Sequence, residues 1–250
     1  SKANKSFGLA LIDDHTPTPE HAKFRWLRLV KVVVIGGLLW LLPMILLTIS
    51  YDWDHTFTQM GWFFTKAALL TFGGAYAVLP YVYQGAVEHY QWLSATQMMD
   101  ALALGETTPG PLVMVNTFVG FVGGWLGASA AHFGAFASAL IAASIVTFFT
   151  FLPSFVFILM GGPFIETTHG NLKLTAPLTA ITAAVVGVIL NLALFFAYHV
   201  FYPTGLDGSL DLFAISLSIA GLVGLFRLKL SVIPVLIISG LIGMGFQLFI

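Results

Sequence analysis

The sequence contains no cysteine and very little charge for its length. Among 250 residues there are 10 Lys and Arg and 11 Asp and Glu, so charged residues make up 8%. The absence of cysteine excludes disulfides, thiolate metal ligands and cysteine nucleophiles. A soluble domain carries roughly 25% charged residues because its surface faces water. This chain has too few charges to cover such a surface, so most of its surroundings must be lipid.

Several motifs that carry chemistry in other proteins are also missing. The seven His residues are scattered without metal-ligand spacing such as His-Glu-x-x-His, so we expect no metal and no cofactor. Neither a Gly-x-Ser-x-Gly sequence nor a paired intramembrane Asp motif occurs, which argues against an intramembrane enzyme. No basic patch indicates a nucleic acid partner. We therefore expect a membrane protein that is not an enzyme.

Hydrophobic residues make up 58% of the chain and fall in long runs. A helix that spans a bilayer needs about 20 mostly apolar residues. The sequence therefore predicts an all-α integral membrane fold, with residues 1–24 as a polar linker and residues 25–250 as the transmembrane domain. The chain begins with Ser1 rather than Met, so we expect a fragment or a processed chain. About seven hydrophobic segments are predicted, at residues 27–49, 57–89, 96–127, 133–160, 175–202, 210–226 and 231–250.

The basic residues predict an orientation in the membrane. Four of them surround the start of the first segment, and Arg227 and Lys229 lie between the last two. Loops rich in Lys and Arg stay in the cytoplasm. The loops at 51–55 and 203–209 carry Asp and no base, so both are expected outside. The N-terminus is thus predicted in the cytoplasm and the C-terminus outside. Two re-entrant hairpins in place of segments two and three would fit equally well.

Segments two and three are each interrupted by glycine and proline near their centres. A broken helix in hydrocarbon leaves peptide groups unpaired, and each costs several kcal/mol. Such breaks persist only where they are buried in protein or line a polar cavity, so two of them in consecutive segments are expected to meet. The first, here called the Gly-Gly motif, is Phe72-Gly73-Gly74-Ala75-Tyr76-Ala77-Val78-Leu79-Pro80. The second, the Pro-Gly-Pro motif, is Glu106-Thr107-Thr108-Pro109-Gly110-Pro111.

Both motifs resemble helix starts. Thr107 or Thr108 can cap a helix that resumes at Val113, with Pro109 or Pro111 in its first turn. Helix N-termini attract anions, and paired half-helix ends near the membrane midplane form substrate sites in transporters. The alternative is that Gly and Pro only kink packed helices. The predicted substrate-binding residues are Lys66, Phe72, Gly73, Gly74, Tyr76, Pro80, Thr107, Thr108, Pro109, Gly110, Pro111 and Asn116.

The charged residues near these motifs have two interpretations each. Lys66 lies in an apolar run, where a charge costs at least about 2.5 kcal/mol on insertion scales. It either attracts an anion or pairs with Glu106 or Asp100. Glu106 either carries a proton that couples to transport or is held by neighbouring hydroxyls and amides. Asp100, nearer the cytoplasmic water, is the weaker coupling candidate. Residues 88–90 are predicted to form a solvated interfacial loop.

These motifs together resemble those of chromate transporters. The Gly-Gly motif is similar to one in the C-terminal half of long family members. The run Met98-Met99-Asp100-Ala101-Leu102-Ala103-Leu104-Gly105-Glu106-Thr107-Thr108-Pro109-Gly110-Pro111-Leu112 is similar to the second motif. Further similar stretches are Thr117-Phe118-Val119-Gly120-Phe121 and Leu152-Pro153-Ser154-Phe155. The resemblance covers residues from about 38 to 188.

The resemblance implies one half of an inverted-repeat transporter that works with a homologous partner half or a dimer mate. It implies export of chromate, a tetrahedral analogue of sulfate, from the cytoplasm across a bacterial inner membrane by alternating access. The energy source is either the proton motive force or exchange against another anion such as sulfate. Two alternatives stay open at this point: a transporter of another small anion, such as sulfate or an organic acid, and a membrane subunit that transports nothing.

Overall fold

The computed structural model describes residues 25–71, 75–108, 110–127, 133–167, 175–203, 205 and 208–249. Throughout these ranges the regular secondary structure is helical, and no strand occurs in them. The prediction of an all-α chain is therefore confirmed. The α-helices in the described ranges are α1 (Trp26–Tyr51), α2 (Thr56–Leu70), α3 (Ala75–Tyr83), α4 (Ala95–Thr107), α5 (Val115–Leu126), α6 (Ala135–Thr167), α7 (Thr175–Phe201), α8 (Leu212–Phe226) and α9 (Val232–Phe249).

The helix boundaries agree with the predicted segments within two residues, except at the two motifs and at the end of α6. The prediction that the fourth segment ends at residue 160 is wrong, because α6 continues through Gly161, Gly162 and Pro163 to Thr167. Predicted segment two is divided into α2, α3 and a π-helical turn at Gln84–His89. Predicted segment three is divided into α4, a 3₁₀ turn at Leu112–Met114, and α5. The number of membrane crossings, and whether the divided segments span or re-enter, stay predictions.

The chain forms two compact units, and the first ends at Val186. In its described part the core lies between α2, α5 and α6, which pack against one another. Phe57, Phe64 and Phe149 are almost completely buried there. Because close van der Waals packing drives the association of membrane helices, this core holds the helices next to the motifs in place.

Small residues bring α5 and α6 into close contact. A Cβ atom at Gly124 would lie 2.5 Å from the Ser138 carbonyl oxygen and 2.6 Å from the Ala142 Cβ. One turn earlier, a Cβ at Gly120 would lie 3.0 Å from the Ala142 carbonyl oxygen. Such small-residue contacts let membrane helices approach closely. Ser138 and Ala142 are the small residues of α6 at this contact.

Helix α1 covers the other side of α2 and α6 but leaves most of its own surface exposed. Its buried residues are Gly36, Met44 and Leu47. The Trp40 indole Nε1 donates a hydrogen bond of 3.0 Å to Thr65 Oγ1 on α2. Its remaining large apolar side chains face outward. A helix of this kind suits a lipid surrounding, because lipid tails solvate apolar side chains.

The second unit comprises Gly187–Ile250. Within it, α8 and α9 form a pair in which Phe213 and Phe246 stack with ring centroids 3.7 Å apart. The Asp211 side chain caps α8 by accepting a 2.8 Å hydrogen bond from the Ala214 N–H. Of the described residues on α8, only Gly224 is buried. The unit therefore exposes apolar residues on nearly every side of these helices.

Within the described ranges, two helices have the length and the apolar composition needed to cross a membrane, Trp26–Tyr51 and Ala135–Gly162. Shorter apolar helices occur at Leu112–Leu126, Val186–Phe201, Leu212–Phe226 and Val232–Phe246. Together with the scarcity of charge, they agree with a membrane protein.

Candidate functional site

The Gly-Gly motif begins shortly after the end of α2 and extends into α3. Helix α2 ends at Leu70, and the Thr71 hydroxyl donates a 2.6 Å hydrogen bond back to the Ala67 carbonyl. Helix α3 begins at Ala75, and Pro80 lies inside it. The predicted site residues Phe72, Gly73 and Gly74 lie outside the described residues. The helix boundaries thus fall at the motif, as the sequence predicts.

The Pro-Gly-Pro motif lies between the end of α4 and the start of α5. Thr107 Oγ1 donates 3.0 Å to the Ala103 carbonyl, and Thr108 Oγ1 donates 2.6 Å to the Leu104 carbonyl. The prediction that one of these threonines caps the resuming helix is wrong, because both hydroxyls bind carbonyls of the preceding helix instead. Pro111 precedes the 3₁₀ turn without a side-chain cap, and Met114 leads into α5 in the same way. Pro109 lies outside the described residues.

A contact joins the residues that flank the two motifs. The Tyr76 hydroxyl, in the first turn of α3, donates a 3.4 Å hydrogen bond to Glu106 Oε2, near the end of α4. Helix α3 also contacts the 3₁₀ turn at Leu112–Met114. Both Tyr76 and Glu106 are exposed. The flanks of the two motifs therefore lie side by side, at a surface that a solute can reach.

Glycine at 105 permits α4 and the start of α5 to pack tightly beside this contact. A Cβ atom at Gly105 would lie 2.3 Å from Val115 Cγ2. A Cβ at Gly110 would meet nothing within 4 Å. Glycine is thus required by packing at position 105, whereas at Gly110 no neighbouring atom requires it.

Asn116 lies in the first turn of α5 and is 1% exposed. Neither atom of its side-chain amide has a hydrogen-bond partner among the residues that the structure describes. Buried amide groups in proteins are nearly always hydrogen-bonded. Its neighbour Thr117 is paired, since Thr117 Oγ1 and Thr147 Oγ1 on α6 lie 2.8 Å apart. Asn116 therefore keeps free hydrogen-bonding capacity close to the Pro-Gly-Pro motif.

Lys66 lines a cavity of about 450 Å³ that neither Glu106 nor Asp100 lines. This cavity, here called the aromatic cavity, lies between α2, α3 and the π-helical turn. The Lys66 ammonium lies 5.9 Å from the centre of the Trp62 ring, one turn earlier on α2. The carboxylate that lines the same cavity is Glu88. Asp100 lies on α4 and is exposed.

The π-helical turn is a feature that the sequence prediction missed. Residues 88–90 were expected in a loop, but Gln84–His89 form a π-helix and Tyr90 follows it. Its exposed side chains include Glu88 and His89, in agreement with solvated positions. A signal was present in the sequence, since Gly85 interrupts a run of large residues. Among the described residues, no group of three His, Asp or Glu side chains lies together as a metal site would need.

Comparison with known proteins identifies the family. The sequence profile of the chromate transporter family matches residues 58–244. A chromate transport protein of Pseudomonas aeruginosa is 37% identical over 185 residues, which cover 71% of this chain and 39% of the relative. A chromate transport protein of Cupriavidus metallidurans is 32% identical over 141 residues, covering 56% and 31%. An uncharacterized transporter of Methanocaldococcus jannaschii is 30% identical over 150 residues, covering 60% and 34%.

The matched stretch thus spans between about a third and two fifths of each of these relatives. No solved structure matches the chain. The family match covers both motifs, the aromatic cavity and Asn116, and it extends through most of the second unit. The resemblance that the motifs carry is confirmed, and this membrane chain belongs to the chromate transporter family.

Proposed function

We propose that this chain is one half of a transporter that exports chromate from the cytoplasm by alternating access. Membership of the family supports a transmembrane transporter, and two relatives are named chromate transport proteins. The observation that carries the proposal is the Tyr76–Glu106 hydrogen bond, because it joins the flanks of the two motifs. The substrate path runs along this junction.

The start of α3 supplies the attraction for an anion. The first four N–H groups of a helix have no partner within it, and the helix dipole adds partial positive charge. An anion at this end is stabilised by about 0.3–1 kcal/mol at an exposed site. Lys66 lies five residues before Thr71 on α2, and its positive charge adds long-range attraction. Chromate and sulfate are tetrahedral dianions, so both meet the same electrostatic requirement.

Glu106 provides the coupling step. Its carboxylate lies beside the first turn of α3, where a substrate dianion is also favoured. Two anions at such a short distance repel each other, so substrate binding displaces the Glu106 carboxylate. Protonation of Glu106 would couple export to the proton gradient, whereas displacement alone would suit anion exchange. A homologous partner half supplies the opposite side of the path, with its motifs inverted.

The test measures uptake of radiolabelled chromate by everted membrane vesicles. The vesicles are prepared from cells that express the chain from its native genetic context. Tyr76→Phe removes the hydroxyl at the junction and should slow uptake severalfold. Tyr198→Phe is the matched control, because Tyr198 on α7 is 39% exposed and Tyr76 is 38% exposed. Equal uptake by the wild type and both variants would reject the junction as the substrate path.

The same vesicles identify the substrate. Excess unlabelled chromate should abolish uptake of the label, and sulfate should compete if both dianions use the path. Stronger competition by a small organic acid than by either oxyanion would assign the chain to a different substrate class. Glu106→Gln distinguishes the two coupling modes. An imposed pH gradient should change wild-type uptake only if transport is coupled to protons, and the variant should then lose that response.

A further inference from the structure

We propose that the aromatic cavity is a second binding site for a tetrahedral oxyanion, which Lys66 holds and for which Glu88 competes. The oxyanion is either the free substrate or the phosphate of a lipid head group. The free-substrate form of the proposal rests on the proposed function, whereas the lipid form does not. The site differs from the junction of the two motifs, because neither Tyr76 nor Glu106 lines it.

Lys66 is the lysine that lines the cavity. It is half-buried on α2, and its ammonium faces the Trp62 ring at 5.9 Å. The π face of an indole ring attracts a cation, so this contact helps to hold the ammonium in place. A half-buried ammonium has lost part of its hydration, so an anion that enters the cavity gains more from it than from a lysine in bulk water.

The walls of the cavity are aromatic and held in place by stacking. Phe63 is buried and stacks on Tyr81, with ring centroids 5.0 Å apart and an interplanar angle of 12°. Tyr90 stacks on Trp92 at 4.5 Å, and both rings contact Phe63 edge-on. These contacts fix the shape of the cavity. Side-chain donors of Tyr81 and Gln84 line it as well, and an oxyanion accepts hydrogen bonds from both groups.

The π-helical turn builds this geometry. A Cβ atom at Gly85 would lie 2.2 Å from Phe63 Cζ, so only glycine lets the turn approach the Phe63 ring. The turn sets Gln84 and Glu88 at the rim of the cavity. Single π-helical turns are rare and occur frequently at functional sites. The close approach at Gly85 therefore links an uncommon backbone form to the space beside Lys66.

The size of the cavity and its second charge define the ligand. The cavity volume of about 450 Å³ is many times the roughly 30 Å³ that one water molecule occupies. The cavity is therefore large enough for a hydrated dianion or a phospholipid head group. Glu88 repels a free dianion, which gives it the role of a competitor for Lys66. For a phosphatidylethanolamine head group Glu88 acts in the opposite sense, because it pairs with the ammonium while Lys66 pairs with the phosphate.

The experiment measures binding to the purified full chain in detergent. One arm uses equilibrium binding of radiolabelled chromate and sulfate, and the other counts phosphatidylethanolamine molecules retained in native mass spectrometry. Lys66→Met should weaken binding at least about tenfold in the arm that is correct, because it removes the charge that the oxyanion requires. Lys31→Met, at an exposed lysine of α1, is the matched control and should leave binding unchanged.

Glu88→Gln distinguishes the two sources of the oxyanion. One negative charge about 4 Å from a dianion in water repels it by about 2 kcal/mol, so removing that charge should strengthen free dianion binding about thirtyfold. The same change weakens retention of phosphatidylethanolamine. Gly85→Ala should lower binding in either case, since Phe63 must move, whereas Gly240→Ala, with nothing within 4 Å of its Cβ, should not.

The proposal is overturned if Lys66→Met binds chromate, sulfate and phosphatidylethanolamine as the wild type does. That result leaves the proposed function intact if Tyr76→Phe still slows uptake. Conversely, Lys66-dependent binding together with normal uptake by Tyr76→Phe would retain the cavity site and reject the substrate path at the junction.

Discussion

Asn116 combines deep burial with a side-chain amide that lacks hydrogen bonds to the described residues. The side chain is 1% exposed, yet both of its amide atoms lack a partner within the described ranges. An unsatisfied buried polar group costs about 1–3 kcal/mol. Thr150, on α6 one turn beyond the paired Thr147, is also buried and has no partner in those ranges. A chain that keeps such groups loses stability, which is typical of positions that serve binding.

Asn116→Leu tests this interpretation, because leucine has the same branched arrangement of heavy atoms and no polar atoms. We expect the melting temperature in detergent to stay equal or rise, since an unsatisfied amide is removed. Chromate uptake should fall about tenfold, the effect of losing one hydrogen bond of about 1.4 kcal/mol. Asn191→Leu, at an exposed amide of α7, should alter neither quantity. A lower melting temperature with normal uptake would make Asn116 a structural residue.

Among the elements, α5 and α6 pack closely along their length in the described part of the first unit. Their contact involves backbone atoms, since Gly124 faces the Ser138 carbonyl and the Ala139 Cα. Backbone atoms cannot move aside as the end of a flexible side chain can. A larger residue at this position must therefore separate the helices, and the cost of such overpacking is typically 1–3 kcal/mol.

Gly124→Ala should thus destabilise the protein by about 1–3 kcal/mol, measured by denaturant unfolding in mixed micelles. The same substitution at Gly161, farther along α6, places its Cβ where no atom lies within 4 Å. Gly161→Ala should be neutral or stabilise by up to about 1 kcal/mol, because alanine favours a helix more than glycine does. Equal effects of the two substitutions would mean that the close contact contributes no stability.

The sequence predicts the helices well and the cavity poorly, for a physical reason. Most of α1 and of α6 to α9 coincides with long apolar runs, and α2 and α4 end just before the Gly and Pro residues of the two motifs, so local sequence determines these helices. The π-helical turn depends on Gly85 meeting Phe63, which lies 22 positions earlier and on another helix. The Thr107 and Thr108 hydroxyls can bond either to the end of α4 or to the start of the following helix, and the residue types alone do not determine which of the two occurs.

On the scale of the whole molecule, the chain corresponds to only part of the relatives it matches. The aligned stretch covers 39% of the Pseudomonas aeruginosa protein and 31% of the Cupriavidus metallidurans protein. Large apolar side chains of α8 and α9 are exposed, as are those of α1. Lipid and a partner half are both compatible with such surfaces. The proposed partner half predicts that isolated chains have to pair before they transport.

Pairing has a measurable consequence in proteoliposomes that contain this chain alone. If two chains form the path, chromate flux per chain should rise with the protein-to-lipid ratio, since dilution in the bilayer separates the pairs. Cross-linking at each ratio gives the dimer fraction, and flux should follow it. Flux per chain that is constant across dilution would instead show that a single chain transports.

The backbone contact between α5 and α6 also limits how this half can rearrange. The contacts at Gly120 and Gly124 hold α5 against α6, a helix of 33 residues. We therefore expect these two helices to move together as one rigid body. The Tyr76–Glu106 hydrogen bond between α3 and α4, in contrast, is exposed and 3.4 Å long, so it is weaker than the contact between α5 and α6. We therefore expect a conformational cycle to separate α3 from α4. The turn at Leu112–Met114 would act as the hinge between α4, which moves, and the rigid pair of α5 and α6.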